Sequence, residues 1–484
     1  MKWCIIVGEP PLLMELLGKV SEAFLEQGDE CVLVYSSKYA EYEKARYFPK
    51  GARVLSKVDW LLKHYDSSRK DYGNLTWRPL YTEFDRAETR GEPWPWGYQD
   101  SSRRLAQDYQ FFERLFQEEA PNAVLFEPPA GIAAHVAHGL CTKFRIPYLG
   151  LVGSRIPGRL VVYDSEYTDS RYSKTFKKLR SQDISEKELK FADRFIREFL
   201  SHKQLPSYEG FLKLRFTPAG FLLHYMRRVK QIGGPLWRLM RQRKKFKRVD
   251  FESEHTIAAS LKAPLELALV QLRMFFQKSL YQRPNPADEF YLFPMHLQPE
   301  ASTSVQAMHY SDQAVTIRHI ASALPFPCKL YVKEHPNALG TKPAFFYRKI
   351  QNVPNVVLID PHESTPELVR RCLGVVTLTG TVGMEAVMAD KPVYALGEVF
   401  YEYHPLCRTP KNFDELREQI LRDYKHGVRL EDLQEQNRRF VVSYLRNTFP
   451  GEEAGALAKR DPNNYPEIAR ELRKTVQEKQ RSLK

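Results

Sequence analysis

Apolar residues fall along this chain in two series of alternating strands and helices, with a different stretch between them. In the first series, Cys4-Ile5-Ile6-Val7 has the length and character of a short buried strand. Apolar positions then recur at helical spacing from Leu12 to Gln27 and stop at Gly28, a residue suited to a helix C-cap. Cys31 to Tyr35 predicts a second strand and Ser101 to Glu119 a helix. Ala123 to Phe126 predicts a strand, Gly131 to Phe144 a helix, and Pro147 to Leu151 a further strand. Short apolar strands separated by helices predict a parallel sheet with helices on its faces. Residues 60–100 are less regular and rich in Trp, Tyr and Arg, with a break at Pro93-Trp94-Pro95-Trp96-Gly97.

The pattern resumes at Phe290. Strands are expected at 290–294, 329–333, 355–359, 374–378 and 392–396, with a helix from Val382 to Ala389. Thr303 with Gln306 predicts a capping box for a helix running to Leu324, and Ser364 with Glu367 a second one. Residues 165–285 are helix-like, charged and nearly free of strand patterns, and the part up to Lys190 is polar enough to read as partly mobile. The expected fold class is therefore α/β: two Rossmann-like parallel-sheet domains facing a cleft, with a helical basic insertion between them. The expected boundaries are 1–164, 165–285, 286–440 and a helical tail at 441–484.

Composition narrows the class. A chain of 484 residues exceeds one ordinary core, and 43% hydrophobic content excludes wholesale disorder. No run approaches the roughly 20 apolar residues of a membrane span, and the first apolar run is too short for a signal peptide. Cys4, Cys31, Cys141, Cys328, Cys372 and Cys407 form no CxxC pair and no disulfide framework, so a reducing, cytoplasmic setting is expected.

Charge sharpens the picture further. Lys and Arg number 73 against 59 Asp and Glu, a net +14. Ten basic residues and no acidic one lie between Leu222 and Val249, interleaved with Tyr225, Met226, Trp237, Met240 and Phe246. Gly233-Gly234-Pro235 is expected to split this segment into two short helices. One reading is a solvated helix pair. Another is contact with an anionic membrane surface through Arg227, Arg228, Arg238, Arg241, Lys244 and Lys245. Nucleic acid is not expected as a partner, since no zinc spacing, RNP signature or helix-turn-helix accompanies the charge.

Candidate chemistry sits at the predicted strand ends, where ligands of parallel sheets gather. Thr379-Gly380-Thr381-Val382-Gly383-Met384-Glu385 places small residues and hydroxyls between a strand and a helix N-terminus, a phosphate-cradling arrangement. Gly380 and Gly383 would let the backbone approach a ligand, and Glu385 would accept from ribose hydroxyls; a plain capped turn is the structural alternative. His335 follows a strand and precedes a proline, with Lys333 on the same side of the extended chain. Glu300 precedes a capped helix, and Glu127 ends a strand before Pro128-Pro129. Either carboxylate is a candidate acid or base, and either could be an ordinary loop or helix-end charge. Trp77, Trp94 and Trp96 would stack on sugar rings or pack the domain, and packing is favoured. No HExxH, GxSxG, Walker A loop or paired Cys/His set occurs, so no metal or other cofactor is expected.

Gln298-Pro299-Glu300-Ala301-Ser302-Thr303, Lys333-Glu334-His335-Pro336 and Thr379-Gly380-Thr381-Val382-Gly383-Met384-Glu385-Ala386, in this order, resemble the capsular polysaccharide biosynthesis protein family. That family contains GT-B-like glycosyltransferases for bacterial surface glycans, among them relatives that use CMP-activated Kdo. The resemblance covers residues 290–400. The N-terminal half matches in outline, through Glu127, Ile146-Pro147 and Ser154-Arg155-Ile156-Pro157. It implies that the C-terminal domain binds a nucleotide-sugar donor through His335, Thr379, Gly380 and Thr381, with Gln298, Glu300, Ser302 and Thr303 on the donor side of the cleft. The N-terminal domain would take a glycan or glycolipid acceptor. Work on membrane-delivered acceptors implies a peripheral position on the cytoplasmic face of the inner membrane. A nucleotide-sugar epimerase or hydrolase, or a non-catalytic polysaccharide assembly protein, remain the alternatives.

Overall fold

The structure is a computed structural model that describes residues 1–8, 11–89, 94–164, 170–201, 218–453 and 461–483. The chain opens with β1 (Lys2–Val7), α1 (Pro11–Glu26), β2 (Glu30–Tyr35), α2 (Lys38–Lys44), β3 (Arg53–Ser56) and α3 (Lys57–His64). It continues with α4 (Arg78–Thr89), α5 (Tyr98–Glu119), β4 (Ala123–Phe126), α6 (Ile132–Phe144), β5 (Tyr148–Gly153) and β6 (Arg159–Tyr163). These strands, joined by the distant β13 (Phe449–Pro450), form a sheet of order β13-β6-β5-β4-β1-β2-β3. β3, β2, β1, β4 and β5 run parallel; β6 is antiparallel to β5, and β13 to β6. Trp3, Ile5 and Leu125 are fully buried, and Trp3 stacks on Phe24 of α1 at 4.1 Å. Each such side chain contributes roughly 1.5–3 kcal/mol by leaving water.

The second sheet follows the same plan. It is built from β7 (Phe290–Pro294), β8 (Lys329–Lys333), β9 (Val356–Ile359), β10 (Gly374–Thr377), β11 (Val393–Ala395) and β12 (Cys407–Arg408). Their order is β12-β11-β10-β7-β8-β9, all parallel. Alternate residues serve opposite faces: Phe290, Leu292 and Tyr331 join one apolar cluster, and Tyr291, Phe293, Leu330 and Val332 the other. In both sheets the chain starts at the centre, runs to one edge and returns to the other side. The reversal points, between β1 and β4 and between β7 and β10, are where ligands of such sheets bind.

The helices between the sheets do not form one insertion. α7 (Ser170–Lys178) and α8 (Glu186–Leu200) pack on the C-terminal sheet's side, where Tyr172, Phe176, Ala192, Phe195 and Phe199 join the cluster containing Val375 and Met384. This part was expected to be partly mobile; its described residues are helical instead, because α8 buries an apolar face behind a full Ser185/Glu188 capping box. α9 (Pro218–Phe246) and α10 (Phe251–Gln277) pack instead on the N-terminal side, with Leu239, Phe246 and Ile257 against Tyr39 and Val58. α9 runs unbroken through Gly233-Gly234-Pro235, contrary to the expected split. A proline costs one helical hydrogen bond, and here Leu239 and Phe246 on the turns that follow are buried against Tyr39 and Val58.

Within the C-terminal domain the Thr303/Gln306 capping box does not form. α11 (Ala301–Ser304) is a single turn, and α12 (Gln313–Ala323) begins later, its first N–H groups taken by Asp312. The remaining helices are α13 (Ala344–Gln351), α14 (Thr365–Arg371), α15 (Thr381–Met388), α16 (Phe413–His426), α17 (Leu433–Arg446) and α18 (Asn464–Leu483). The tail expected at 441–484 divides between the domains. α17 packs on α7 and α8, whereas β13 and α18 cross back to the N-terminal sheet, where Ile468, Ala469, Leu472 and Val476 enter its core.

α10 joins the two domains. Its N-terminus is capped by Asp250, whose carboxylate also accepts from the Lys38 N–H of α2 at 2.8 Å. At its other end Gln277 Nε2 donates to the Lys342 carbonyl at 2.8 Å and Arg273 to the Thr341 carbonyl at 3.1 Å. Gly340, at φ +73°, brings the backbone so close to the Val270 carbonyl of α10 that a side chain would collide with it.

Candidate functional site

The carboxyl edge of the N-terminal sheet forms one wall of a cavity of about 790 Å³. Gly8, Ser36 and Glu127, which follow β1, β2 and β4, lie in that wall, and Ala301 of the C-terminal domain lines the same space. The half-buried Glu127 is held by its own carbonyl, which accepts from Tyr148 Oη at 2.7 Å. Trp94 and Trp96 both line the cavity and both pack: their rings meet edge-on at 4.6 Å, and Arg104 lies over Trp96 at 4.6 Å. Trp77 does not line it. Arg86 of α4 spans the two domains, donating to the Ala130 carbonyl at 2.5 Å and to Ser304 Oγ of α11 at 3.3 Å. A second cavity, of about 590 Å³, lies between α5, α6 and residues 73–79, and no strand residue lines it.

The carboxyl edge of the C-terminal sheet carries the second group of candidate residues, and of the C-terminal domain Ala301 lines the cavity. His296, just past β7, is pinned by Gln313, which accepts from its N–H at 2.8 Å and donates to its carbonyl at 3.0 Å. The expected donor-side residue Gln298 is part of the same clamp, accepting from Gln313 at 2.7 Å and donating to the Ser311 carbonyl at 2.8 Å. His296 Nε2 in turn accepts from the Thr379 N–H at 3.0 Å, so the ring supports the turn after β10 from beneath. Burial, with the nearby His335 and Lys342, lowers the His296 pKa to about 3, which keeps the ring neutral.

The hydroxyl-rich turn has less to offer a ligand than its sequence implies. Thr379 Oγ1 donates to the Ser302 carbonyl at 3.1 Å, and the buried Thr303 Oγ1 to the Glu300 carbonyl at 3.1 Å. Ser302 Oγ donates to Glu300 Oε2 at 3.3 Å. Gly383 is required by Tyr401 rather than by a ligand: the Tyr401 phenol donates to the Gly380 carbonyl at 2.7 Å, and a Cβ at Gly383 would overlap it. Gly380 is the N-cap of α15, with Thr381 partly accessible at the first helical position, so that helix N-terminus still opens toward the cleft.

His335 caps the short turn Pro336–Ala338. Its Nδ1 accepts from the Asn337 N–H at 3.2 Å, which puts the proton of the neutral ring on Nε2. Burial and the charges of Lys333 and Lys342 lower its pKa. Lys333 does not reach outward beside it, as expected from the extended chain. It is 5% exposed and donates to the Pro361 carbonyl at 2.8 Å, with burial lowering its pKa. Glu385, half-buried on α15, acts on Lys333 through its charge. Glu300 keeps surface exposure beside Ala301, yet desolvation of its carboxylate raises its pKa, opposed by the Ser302 hydroxyl and Arg155 of the other domain.

The structure therefore gathers Glu300, Ser302, Thr303, Thr379, Gly380 and Thr381 into one cluster, with His335 beside it; Glu127 lines the cavity at the carboxyl edge of the N-terminal sheet, which Ala301, next to Glu300, also reaches. Sequence reasoning gave no role to Lys342, Arg86 or Tyr401, nor to His296, which lies in the strand-end polar stretch 295–303. His296 carried a signal, being the first polar residue past a strand; Lys342 sits in a loop with none.

On α9, Arg238 lies over the Tyr42 ring at 4.0 Å, and Arg243 pairs with Glu254 at 2.6 Å. Arg241, Lys244 and Lys245 are exposed beside Trp237 and Met240. The side chains of Arg227 and Arg228 lie outside the described ones. Among the described residues no helix is long and apolar enough to cross a membrane, and no group of three or more His, Cys, Asp or Glu is placed to hold a metal ion.

Residues 276–425 match the family model for the capsule polysaccharide biosynthesis protein. That stretch is about a third of the chain and lies within the C-terminal half, so the similarity to the capsule polysaccharide biosynthesis family is a similarity of this region. The matched stretch takes in the β7–β12 sheet together with His296, His335, Lys342 and the turn at Thr379. A comparison with curated proteins returned no match. Among solved structures, the β-Kdo 2,4 transferase KpsC of Thermosulfurimonas dismutans matches at 15% identity and a TM-score of 0.35, over 66% of this chain and 79% of that one. The UDP-GlcNAc 2-epimerase of Methanocaldococcus jannaschii matches at 12% identity and a TM-score of 0.25, over 92% and 99%.

Proposed function

We propose that this chain is a glycosyltransferase that moves a sugar from a nucleotide-activated donor, with CMP-Kdo the first to test, onto a capsular or other surface polysaccharide or its lipid-linked acceptor. The observation that carries the reading is the pairing of walls. A region similar to the capsule-synthesis family carries N–H donors at His335 and the α15 N-terminus, and the carboxylate Glu127 lines a cavity with aromatic sides that Ala301, beside that region's Glu300, also reaches. Transfer from a nucleotide sugar develops negative charge on the departing phosphate, which N–H donors stabilise. Glu127 would exchange the proton of the acceptor hydroxyl, and Glu300, with its raised pKa, is the second candidate.

The acceptor side would rest on an anionic membrane. Support comes from Arg241, Lys244 and Lys245 beside exposed Trp237, and from an exposed stripe of Leu265, Leu269, Leu272 and Phe276 along α10. The test is titration with CMP, CDP and UMP followed by turnover assays. His335→Ala should lose nucleotide binding, and Glu127→Gln should bind but not turn over. Nucleotide-sugar turnover without any acceptor would favour an epimerase or hydrolase, and no nucleotide affinity at all would favour an assembly protein.

A further inference from the structure

Three nitrogen donors at the carboxyl edge of the C-terminal sheet lack acceptors among the described residues. His296 is 7% exposed, and its Nε2 already accepts from Thr379, so its proton sits on Nδ1; that nitrogen has no hydrogen-bond partner among the described residues. Lys342 is 6% exposed, and its Nζ has none either. It lies over the face of Phe346, 4.5 Å away. His335 accepts at Nδ1, which leaves its Nε2–H as the third donor. Leaving a buried donor unpaired costs about 1–3 kcal/mol, and more for a charged one.

The two carboxylates whose charge reaches Lys342 are engaged elsewhere. Glu334 accepts from the His335 N–H at 2.8 Å and from Tyr347 Oη at 2.7 Å, and Asp312 accepts from the first N–H groups of α12 at 3.0 and 3.1 Å. His296 and His335 lie side by side, each two residues past the paired Pro294 and Lys333 of adjacent strands β7 and β8, and the charge of Lys342 acts on both rings. A single water has two lone pairs, too few for an ammonium and two imidazole N–H groups. A phosphate offers several acceptor oxygens and the opposite charge. The loop that carries Lys342 is fixed from behind, through Gln277 of α10 and the close approach at Gly340, so the ammonium is positioned before any ligand arrives.

We infer that Lys342 and His296 complete, with His335, a seat for one anionic group, and that its occupant is the phosphate of the nucleotide. This rests on the donor-domain reading above and assigns phosphate binding to two residues outside its motifs. The test is calorimetric titration of the full chain with cytidine, CMP, uridine, UMP and inorganic phosphate, for the wild type, Lys342→Met and Lys342→Arg. Lys342→Met should weaken nucleotide binding tenfold or more and leave nucleoside binding unchanged, with Lys342→Arg recovering part of the loss. Equal weakening of nucleoside and nucleotide, or of neither, overturns the inference.

Should Lys342→Met fail to fold, the wild type alone decides. The ¹⁵N signal of His296 Nδ1 should shift with the nucleotide and not with its nucleoside, and no shift overturns the seat. Inorganic phosphate binding as tightly as the nucleotide overturns the nucleotide assignment in favour of free phosphate. A wild type that binds no nucleotide overturns the donor-domain reading itself, and this inference with it. A wild type that binds, with an unchanged nucleotide-to-nucleoside ratio in Lys342→Met, overturns this inference alone.

Discussion

On the N-terminal wall, Lys57 meets Asp108 at 2.6 Å and Glu252 at 3.4 Å, and Arg86 meets Glu83 at 3.1 Å while bracing the neighbouring domain. On the C-terminal wall, Lys342 and His296 are as deeply buried as Lys57, and Lys342 Nζ and His296 Nδ1 meet no acceptor among the described residues. Burial is comparable and pairing is not. A charge paired within its own wall contributes to holding that wall together, and removing one member leaves the other stranded. A donor left open keeps its hydrogen-bonding capacity for something that arrives later. The two walls should therefore answer substitution differently, the first through stability and the second through affinity.

The largest effect would separate chemistry from both. Glu127→Gln should cut turnover by about 10²–10⁴-fold with nucleotide affinity unchanged, read by steady-state kinetics beside calorimetry. Unchanged turnover would remove Glu127 from the acid/base role. Lys57→Met should destabilise the protein by about 3–5 kcal/mol, seen as a lower urea midpoint, while bound nucleotide is unaffected at low temperature. A loss of nucleotide affinity without a loss of stability would erase the contrast between the walls.

Asp250 gives the N-terminal side a pH signature. Burial raises its pKa from 3.8 to about 6, against the N–H groups of Ser253 and Lys38 that favour the ionised form. The folded state thus holds the proton more tightly than the unfolded chain. The Asp250 contribution is fully present below pH 3.8 and is lost as pH rises through about 6. Its full size is about 3 kcal/mol. Thermal melts of the wild type and Asp250→Asn across that window should differ in slope, the variant lacking the decline; parallel curves would sink the assignment. The smallest effect concerns the helix pair attached to this wall. Lys244→Ala should weaken binding to anionic vesicles by about 1 kcal/mol, and added salt should weaken it further, as sedimentation would measure. Salt-insensitive binding would return α9 to a solvated surface.

Much of this contrast was invisible in the sequence. The central strands of both sheets were legible because a parallel strand buried on both faces is an unbroken apolar run, as at Ile5 to Val7 or Leu330 to Val332. β12 and β13, two residues each, carry no such run. The motif residues fell together at one edge as expected, yet Gln298, Thr303 and Thr379 spend hydrogen bonds inside the protein, and residue type alone does not say which way a hydroxyl points. Lys342 was beyond reach for a different reason. Its role depends on which acceptors are absent around it, and absence has no motif.

α18 and β13 complete the N-terminal sheet after the entire C-terminal sheet has been made. Ile468, Ala469, Leu472 and Val476 cover α1, and Arg473 reaches Asp29 at 2.6 Å. During synthesis at about 5–20 residues per second, the first sheet waits on the order of tens of seconds with that apolar strip open to the cytosol or to a chaperone. The domain that begins first is the one finished last.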